Sequence, residues 1–432
     1  MHGQDSLLVR ILDPGYASPE PLESSQVSNP IGVPWRTRYS PTFQRRQPAV
    51  TELRLGVLGT SRKENELRLP IHPAHIDRLD PNSRQQIFLE RGYGGPFDVA
   101  DDDLAPKVGG MRSRDELFEG CDVIVLPKPT HEDIAEMCEG QILWGWPHCV
   151  QDETLTQLAI DRRLTLIAWE AMHHWMTEGT FVHVFHKNNE LAGYCSVLHA
   201  LQLIGTTGEY GRRLRAAVIS FGATGRGAVT ALNALGVLDV NVFTHRDVHA
   251  VSSPIHSVRM VHFERSSKDP SRPLAILSSG PTPIAQVLAD HDIVVNCVLQ
   301  DTDSPLMFVT DEELDAFRHG SVFVDVSCDE GMGFSWAKPT SFADPIFKVG
   351  GDHYYYAVDH SPSFLWNSAT WEVSDALLPH VPTIIAGPDA WDADKTISHA
   401  IEIRDGVIQN PKILSFQNRS PEFPHTKVSL HS

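Results

Sequence analysis

The chain has 432 residues, enough for two domains, and 41% of them are apolar, enough for real hydrophobic cores. Its 36 basic and 55 acidic side chains give a formal net charge of −19. This balance argues against a general nucleic-acid or anionic-membrane binder, whose surface would have to be basic. The six cysteines form no Cys-x-x-Cys pair and no run is apolar enough for a transmembrane helix, so we expect a cytoplasmic protein with neither a nucleic-acid nor a membrane partner.

The first half of the chain alternates between strand-like and helix-like segments, after an N-terminal extension, 1–48, that is rich in Pro, Ser and Arg. Short apolar runs predict strands at 52–59, 122–126, 141–145 and 164–168. Apolar residues at helical spacing predict helices at 73–79 and 152–162. This alternation predicts a largely parallel sheet that is covered on both faces.

A second domain, 191–364, begins with a helix that we expect over 190–203 and that bridges the two domains. Strands are predicted at 215–221, 240–243, 293–298 and 321–326. The segment from Leu365 to Gly406 has a helical pattern, and we expect it to return to the first domain. The predicted fold class is therefore α/β with two Rossmann-like domains: a substrate domain of 49–190 plus 365–432, and a dinucleotide-binding domain of 191–364.

A glycine cluster, SFGATGRG at 220–227, lies between a predicted strand and a predicted helix. Glycines at this junction allow a tight turn and a close approach of the backbone to a pyrophosphate, and the helix N-terminus presents free N–H groups to the anion. The alternative is an ordinary turn, and the first glycine of the usual fingerprint is Ser220 here. The predicted dinucleotide contacts are Ser220, Gly222, Ala223, Thr224 and Gly225.

The end of the next strand bears on the choice between NAD and NADP. An acidic residue there would accept hydrogen bonds from the ribose 2′-OH of NAD, but the chain has Thr244, His245 and Arg246. A hydroxyl and a guanidinium suit a 2′-phosphate, which favours NADP(H), although Asp247 follows and Arg246 could be a solvated loop residue.

Two further strands of this domain end in candidate cofactor contacts. Val298 ends the run 293–298 and Leu299 follows it, while Asp329 follows the run 321–326. Ligands in open α/β sheets sit beyond the carboxyl ends of the strands, so we expect these residues near the cofactor. Asp329 could orient the ribose or a substrate ammonium. Asp325, which lies within the strand, is the alternative candidate and could have a structural role.

Three residues of the first domain are candidates for the substrate side. Arg68 lies in the segment ELRLP, Lys128 follows VIVLP and His148 follows ILWGWP. Arg can clamp a carboxylate, Lys can polarise a carbonyl and His can transfer a proton near neutral pH. Together they suit reduction of a 2-oxo acid or of its imine, although each could be an ordinary surface group.

These segments together resemble the alanine dehydrogenase superfamily, and more closely its N5-(carboxyethyl)ornithine synthase branch. The resemblance runs in collinear order from about Leu55 to about Leu377. The segments that carry it are ELRLP at 66–70, GWPH at 145–148, AGY at 192–194, the glycine loop and VDVSCD at 324–329, with ADPI at 343–346, YYY at 354–356 and SPS at 361–363 specific to the ornithine synthase.

The resemblance implies NADPH-dependent reduction of the imine formed between pyruvate and an amino group, such as that of ornithine or lysine. It implies that Arg68 binds the oxo-acid carboxylate, that Lys128 contacts the oxo group, that His148 is the acid/base and that Asp329 lies near the nicotinamide ribose. It also implies a homo-oligomer whose N-terminal domain is completed by C-terminal helices.

Some positions depart from the family pattern. The usual Lys-Glu pair after the first strand is Gly59-Thr60, and the Asn of the nicotinamide-side loop is replaced in His360-Ser361-Pro362. The amine partner is therefore open. Five aromatic residues suggest walls of a pocket: Trp144, Trp146, Trp175, Tyr354 and Tyr355.

Three alternatives remain at this stage. The first is an alanine-dehydrogenase-type enzyme that uses ammonia, and the second is a non-catalytic dinucleotide-binding module, for which Arg68, Lys128 and His148 would be unnecessary. The third is a metal enzyme built from His173, His174, His183 and His186, which lacks a carboxylate at a recognised ligand spacing, so we predict no metal site.

Overall fold

The computed structural model describes residues 52–175, 181–246 and 258–428, so the predicted N-terminal extension and Asp247 lie outside the described residues. The strands are, in chain order, β1 (Leu55–Val57), β2 (Ile87–Glu90), β3 (Gly110–Arg112), β4 (Val123–Leu126), β5 (Ile142–Gly145), β6 (Thr165–Ala168), β7 (His173–Trp175), β8 (Phe181–His183), β9 (Arg215–Ile219), β10 (Asp239–Thr244), β11 (Val258–Arg265), β12 (Pro273–Leu277), β13 (Gly280–Pro283), β14 (Ile293–Asn296), β15 (Met307–Val309), β16 (Val322–Asp325), β17 (Gly333–Phe334), β18 (Ile346–Val349), β19 (His353–Tyr356), β20 (Ile401–Arg404) and β21 (Val407–Ile408).

The α-helices are mostly short, and the longest of those described, α6, has 18 residues. In chain order they are α1 (Pro81–Gln85), α2 (Asp101–Leu104), α3 (Arg114–Gly120), α4 (His131–Glu136), α5 (Glu153–Asp161), α6 (His186–Leu203), α7 (Ala223–Ala234), α8 (Ile284–Leu288), α9 (Trp366–Leu377), α10 (Val381–Ala386), α11 (Pro388–Ala393), α12 (Lys395–Ser398) and α13 (Pro411–Phe416). Within the described part of the chain, no helix is long and apolar enough to cross a membrane.

The first sheet has the strand order β21-β20-β6-β5-β4-β1-β2-β3. Strands β1 to β6 pair in parallel, and their order is that of a Rossmann sheet. Apolar clusters cover both faces, as predicted from the continuous apolar runs of β4 and β6. Strands β20 and β21 extend this sheet in antiparallel orientation, so the end of the chain returns to the first domain with strands as well as helices.

The second sheet has the order β13-β12-β11-β10-β9-β14-β16-β19-β18. Its six central strands, from β11 to β19, are parallel, and the strand order reverses between β9 and β14. Ligands of doubly wound sheets bind in the crevice at this reversal. The glycine loop follows β9 and Val298 follows β14, so both lie at the crevice.

Helices α6 and α7 cross at very short distance through two glycines. A Cβ on Gly193 would lie 1.9 Å from the carbonyl oxygen of Thr224, and a Cβ on Gly227 would lie 1.8 Å from that of Glu190. Because both obstacles are backbone atoms, neither can move aside without separating the helices. The long bridging helix thus fixes the position of the cofactor loop.

We expect Gly227→Ala to lower the free energy of unfolding by about 1–3 kcal/mol, the usual cost of overpacking. Gly95→Ala is the matched control, since a Cβ there would meet no atom within 4 Å, and should change stability by less than about 0.5 kcal/mol. Urea unfolding followed by fluorescence measures both. Equal stability of the two variants would show that the helix contact is not as tight as described.

Candidate active site

A cavity of about 650 Å³ lies between the carboxyl edges of the two sheets. The substrate-domain candidates Arg68, Lys128 and His148 line one side of it, and Thr224, Val298 and Asp329 line the cofactor-domain side. These six side chains, from widely separated segments of the described chain, therefore meet at one cleft.

Lys128 and His148 face each other because they follow neighbouring strands. Leu126 of β4 is paired with Gly145 of β5, and the two side chains come two and three residues later. Their Nζ and Nε2 atoms are 2.8 Å apart. A side chain at Gly145 would place its Cβ 2.0 Å from the carbonyl oxygen of Leu126, so glycine is required for the close approach that aligns the pair.

The backbone of His148 is left-handed, with φ of 49°, an uncommon conformation for a residue with a Cβ. It is held there by a hydrogen bond of 2.7 Å in which its N–H donates to Oε1 of Glu170. Strained backbone of this kind is concentrated at functional sites. The imidazole is thereby aimed into the cavity, with 42% of its side chain exposed there.

The protonation of the pair follows from its surroundings. Although part of the His148 ring is exposed within the cavity, desolvation by the surrounding protein and then the nearby Lys128 hold its pKa well below the usual range, and desolvation lowers the pKa of Lys128. With a neutral ring, Lys128 donates to Nε2 and the ring proton lies on Nδ1, which faces Oε1 of Glu170 at 3.8 Å. Burial and the neighbouring Glu402 raise the pKa of Glu170 to about 8.

Arg68 is buried, and it lines the cavity. Its Nε and Nη2 atoms donate to the two carboxylate oxygens of Glu66 at 2.8 and 2.5 Å, and Nη1 donates to Oδ1 of Asn188 at 3.2 Å. The guanidinium also stacks over Trp146, with 4.8 Å from Cζ to the ring centroid. These contacts use three of its five N–H groups, so one on Nη1 and one on Nη2 remain for a further acceptor such as a carboxylate.

An ion pair joins the two domains beside this site. Lys63 Nζ donates to Oδ2 of Asp359 at 3.0 Å, and His360 bridges Oδ1 of Asp359 at 2.6 Å and the carbonyl oxygen of Glu64 at 2.7 Å. Although burial opposes it, the contacts with His360 and the charges of Lys128 and Lys63 hold the pKa of Asp359 well below its usual range. His360, which departs from the family pattern, therefore positions a loop that lines the cleft.

Asp329 lies across the cavity from His148. Its Oδ1 accepts a hydrogen bond of 2.9 Å from Gln151, and burial raises its pKa. The neighbouring Asp325 is instead fully buried and accepts hydrogen bonds from Asn296 and Tyr355 at 3.0 and 2.9 Å. Asp325 therefore has a structural role, as the sequence suggested, and Asp329 is the aspartate that lines the cavity.

The glycine loop fits a dinucleotide. Ser220 retains a left-handed backbone, with φ of 81°, at the position where the fingerprint has its first glycine. A Cβ on Gly225 would lie 2.4 Å from the carbonyl oxygen of Ser220, whereas Gly222 faces open space. No side chain caps the N-terminus of α7, so the N–H groups beginning at Ala223 are available to a pyrophosphate.

The residues at the end of β10 form a basic group. Thr244 is buried and accepts a hydrogen bond from the N–H of Arg246 at 3.1 Å, while His245 and Arg246 are exposed. His262 on β11 contacts the carbonyl oxygen of Arg246 at 3.2 Å. Although His245 is exposed, partial desolvation of its ring and the charges of Arg246, His262 and Arg265 lower its pKa. After β14, Leu299 is 96% exposed beside the cavity.

Sequence reasoning missed several side chains at this site. Glu66, Glu170, Asn188 and Gln151 contact the candidate residues. Glu66 lies in the ELRLP motif but was given no role, and no local motif marks the other three. Of the five aromatic residues expected as walls, Trp146 lines the cavity, whereas Trp144 and Tyr355 are fully buried in cores. Gly59 and Thr60, which replace a family pair, donate to the carboxylate of Glu90 and have a structural role.

Two facing Rossmann sheets with a cleft between their carboxyl edges define a two-domain dinucleotide-dependent protein. The family description "Alanine dehydrogenase/PNT, N-terminal domain" matches residues 57–192, and "Alanine dehydrogenase/PNT, C-terminal domain" matches 204–411. The chain belongs to this family and is an NAD(P)-dependent oxidoreductase.

Similar proteins include two kinds of enzyme. An N(5)-(carboxyethyl)ornithine synthase of Clostridium botulinum is 23% identical over 73% of this chain and 90% of its own length. An alanine dehydrogenase of Mycobacterium tuberculosis is 24% identical over 76% of this chain and 86% of its own. A solved L-alanine dehydrogenase, 20% identical, superimposes with a TM-score of 0.65 over 84% of this chain and 99% of its own, which confirms the predicted fold.

Proposed function

We propose that the protein catalyses the NADPH-dependent reductive condensation of a pyruvate-like 2-oxo acid with the amino group of an amino acid such as ornithine or lysine. The observation that carries this proposal is the row formed by Arg68, Lys128 and His148 on one wall of the cleft, opposite Asp329. The relationship to a carboxyethylornithine synthase supports the amino-acid partner.

In this proposal the two remaining N–H groups of Arg68 bind the oxo-acid carboxylate, with Glu66 and Asn188 fixing the guanidinium plane. Lys128 then contacts the oxo oxygen and polarises the carbonyl as a point charge. Its lowered pKa leaves it able to share a proton with the departing oxygen. Bound substrate and amine are thereby held in one geometry, which lowers the entropic part of the barrier.

His148 acts as the acid/base of the condensation. Because its ring is neutral, Nε2 accepts a proton as the amine adds and returns it to the oxygen that leaves as water. Glu170, whose pKa is raised to about 8, steadies the Nδ1 side of the ring. The nicotinamide of a bound cofactor supplies the hydride that reduces the imine carbon. Asp329 orients the ribose or the substrate ammonium on the opposite wall.

The basic group of Thr244, His245 and Arg246 favours NADPH over NADH. We expect Arg246→Ala to weaken NADPH binding by about 10- to 100-fold, the loss of one charge-assisted hydrogen bond, and to leave NADH binding unchanged. Arg259→Gln is the matched control, because Arg259 is exposed at the opposite end of β11. Cofactor fluorescence titrations measure both. An equal loss for NADPH and NADH would contradict a 2′-phosphate contact.

The proposed reaction is tested by following NADPH absorbance with pyruvate while supplying ammonia, ornithine, lysine and other amino acids in turn. Oxidation that requires an amino acid supports the proposal and identifies the amine. Oxidation with ammonia alone would replace it with an alanine-dehydrogenase-type reaction. Absence of oxidation with every amine and several oxo acids would contradict both.

A further inference from the structure

The cavity extends beyond Lys128 and His148 to an acidic end, where the reaction steps above use only Glu170. Glu170, Glu402, Asn410 and Lys412 line this end. Glu402 is only 6% exposed, although a carboxylate is seldom buried to that extent without a charged partner. No described cation pairs with Glu402, and one of its oxygens accepts a hydrogen bond of 2.6 Å from Asn410.

The backbone aims Glu402 into the cavity by a β-bulge. Ile401 pairs with Ile167 and Ile403 pairs with Leu166, so two residue steps on β20 lie opposite one step on β6. Glu402 is the extra residue, and its carbonyl oxygen accepts the N–H groups of Gln409 and Asn410. Bulges commonly redirect a side chain beside a functional site.

Glu402 ends a row that crosses four neighbouring strands. Lys128 follows β4, His148 follows β5, Glu170 follows β6 and Glu402 lies on β20, which is next in the sheet. Adjacent strands are about 4.8 Å apart, so roughly 10 Å separate the positions of His148 and Glu402 along the row. A ligand that contacts both positions needs a carbon chain between two polar groups, and ammonia cannot do so.

The electrostatics of this end suit a cation. Oε2 of Glu170 is buried without a hydrogen-bond partner. Burial raises the pKa of Glu402 to about 7, and burial with the charge of Glu402 raises that of Glu170 to about 8. A bound ammonium would relieve the repulsion between the two carboxylates and supply the missing donors. Lys412, exposed at the same end, offers the opposite charge for a carboxylate.

We infer that Glu402, with Glu170, binds the non-reacting ammonium group of the amino-acid substrate and thereby selects a diamino acid over ammonia or a simple monoamine. The inference rests on the proposed function for the identity of the reacting amine. The α-ammonium of the substrate lies between the two carboxylates and its α-carboxylate lies toward Lys412. The side-chain amine then extends along the row to His148 and the oxo acid.

The test compares two ligands that differ in one group. L-Ornithine carries the α-ammonium, whereas 5-aminopentanoate keeps the carboxylate and the terminal amine but lacks it. Calorimetric titration into the protein saturated with NADP⁺ should show that the wild type binds ornithine about 10- to 100-fold more tightly, the value of one charge-assisted contact. In Glu402→Gln this preference should disappear, because the amide can still accept from Asn410 but carries no charge.

Glu139→Gln is the matched control, since Glu139 is 75% exposed and outside the cavity lining, and it should keep the wild-type preference. A Glu402→Gln protein that still prefers ornithine would overturn the inference, as would a wild type that binds the two ligands equally or binds neither. The binding measurement does not depend on turnover. If the wild type binds ornithine, Glu402→Gln loses this binding and no NADPH is oxidised, the ammonium site is supported. The proposed reaction is then rejected.

Discussion

Replacement of His148 with Asn is expected to reduce kcat with oxo acid and amine by about 10²- to 10⁴-fold, the usual contribution of a positioned acid/base. The Kd for NADPH should not change, because the imidazole faces Lys128 and Glu170 on the substrate wall. Asn is chosen because it tolerates the left-handed backbone found at this position. Steady-state kinetics and a separate cofactor titration measure the two quantities.

His319→Asn serves as the control, since His319 is 80% exposed in the cofactor domain, and should behave as the wild type. A His148 variant that lost turnover and cofactor affinity to the same extent would contradict a role in proton transfer. Such a result would instead indicate that the residue supports the architecture of the cleft.

The second large effect is expected at Arg68, where function and stability are coupled. Burial raises the pKa of Glu66, but the charge and hydrogen bonds of Arg68 outweigh it and lower that pKa overall. Arg68→Met leaves the Glu66 carboxylate buried without its partner, so the free energy of unfolding should fall by about 3–5 kcal/mol. The KM for the oxo acid should also rise, because the carboxylate loses its clamp.

The double variant Glu66→Gln/Arg68→Met separates these effects. Removal of both charges should restore much of the lost stability in urea unfolding, whereas the oxo-acid KM should stay high. Recovery of oxo-acid binding in the double variant would show that Arg68 does not contact the carboxylate. Unchanged stability in Arg68→Met would contradict the buried ion pair.

The parallel core of each domain could be predicted because its strands are continuous apolar runs. β4, β5, β6, β9, β10, β14 and β16 all lie where such runs occur. The edge strands could not be predicted, since β3 is short and half-buried and β20 lies in a segment that has a helical pattern. The prediction of a helix was wrong over Ile401–Arg404, where the chain forms β20 because it pairs with β6, and sequence periodicity does not reveal such a tertiary contact.

At the site, too, some features could be predicted from the sequence and others depend on tertiary contacts. The meeting of Lys128 and His148 follows from two neighbouring parallel strands, so residue order alone predicts it. The partners of these residues are fixed by tertiary structure: Glu170 contacts His148 across a strand, Asn188 reaches Arg68 from the bridging helix, and Glu402 reaches the cavity through a bulge. Periodicity carries no signal for such contacts.

The most direct test of the central claim is to supply NADPH deuterated at the transferable position of the nicotinamide, together with pyruvate and an amino acid, and to analyse the products by mass spectrometry. Our account predicts one deuterium on the carbon that was the oxo carbon of pyruvate, in a secondary amine joined to the amino acid. Deuterium found in lactate or alanine instead, with no secondary amine, would contradict the account.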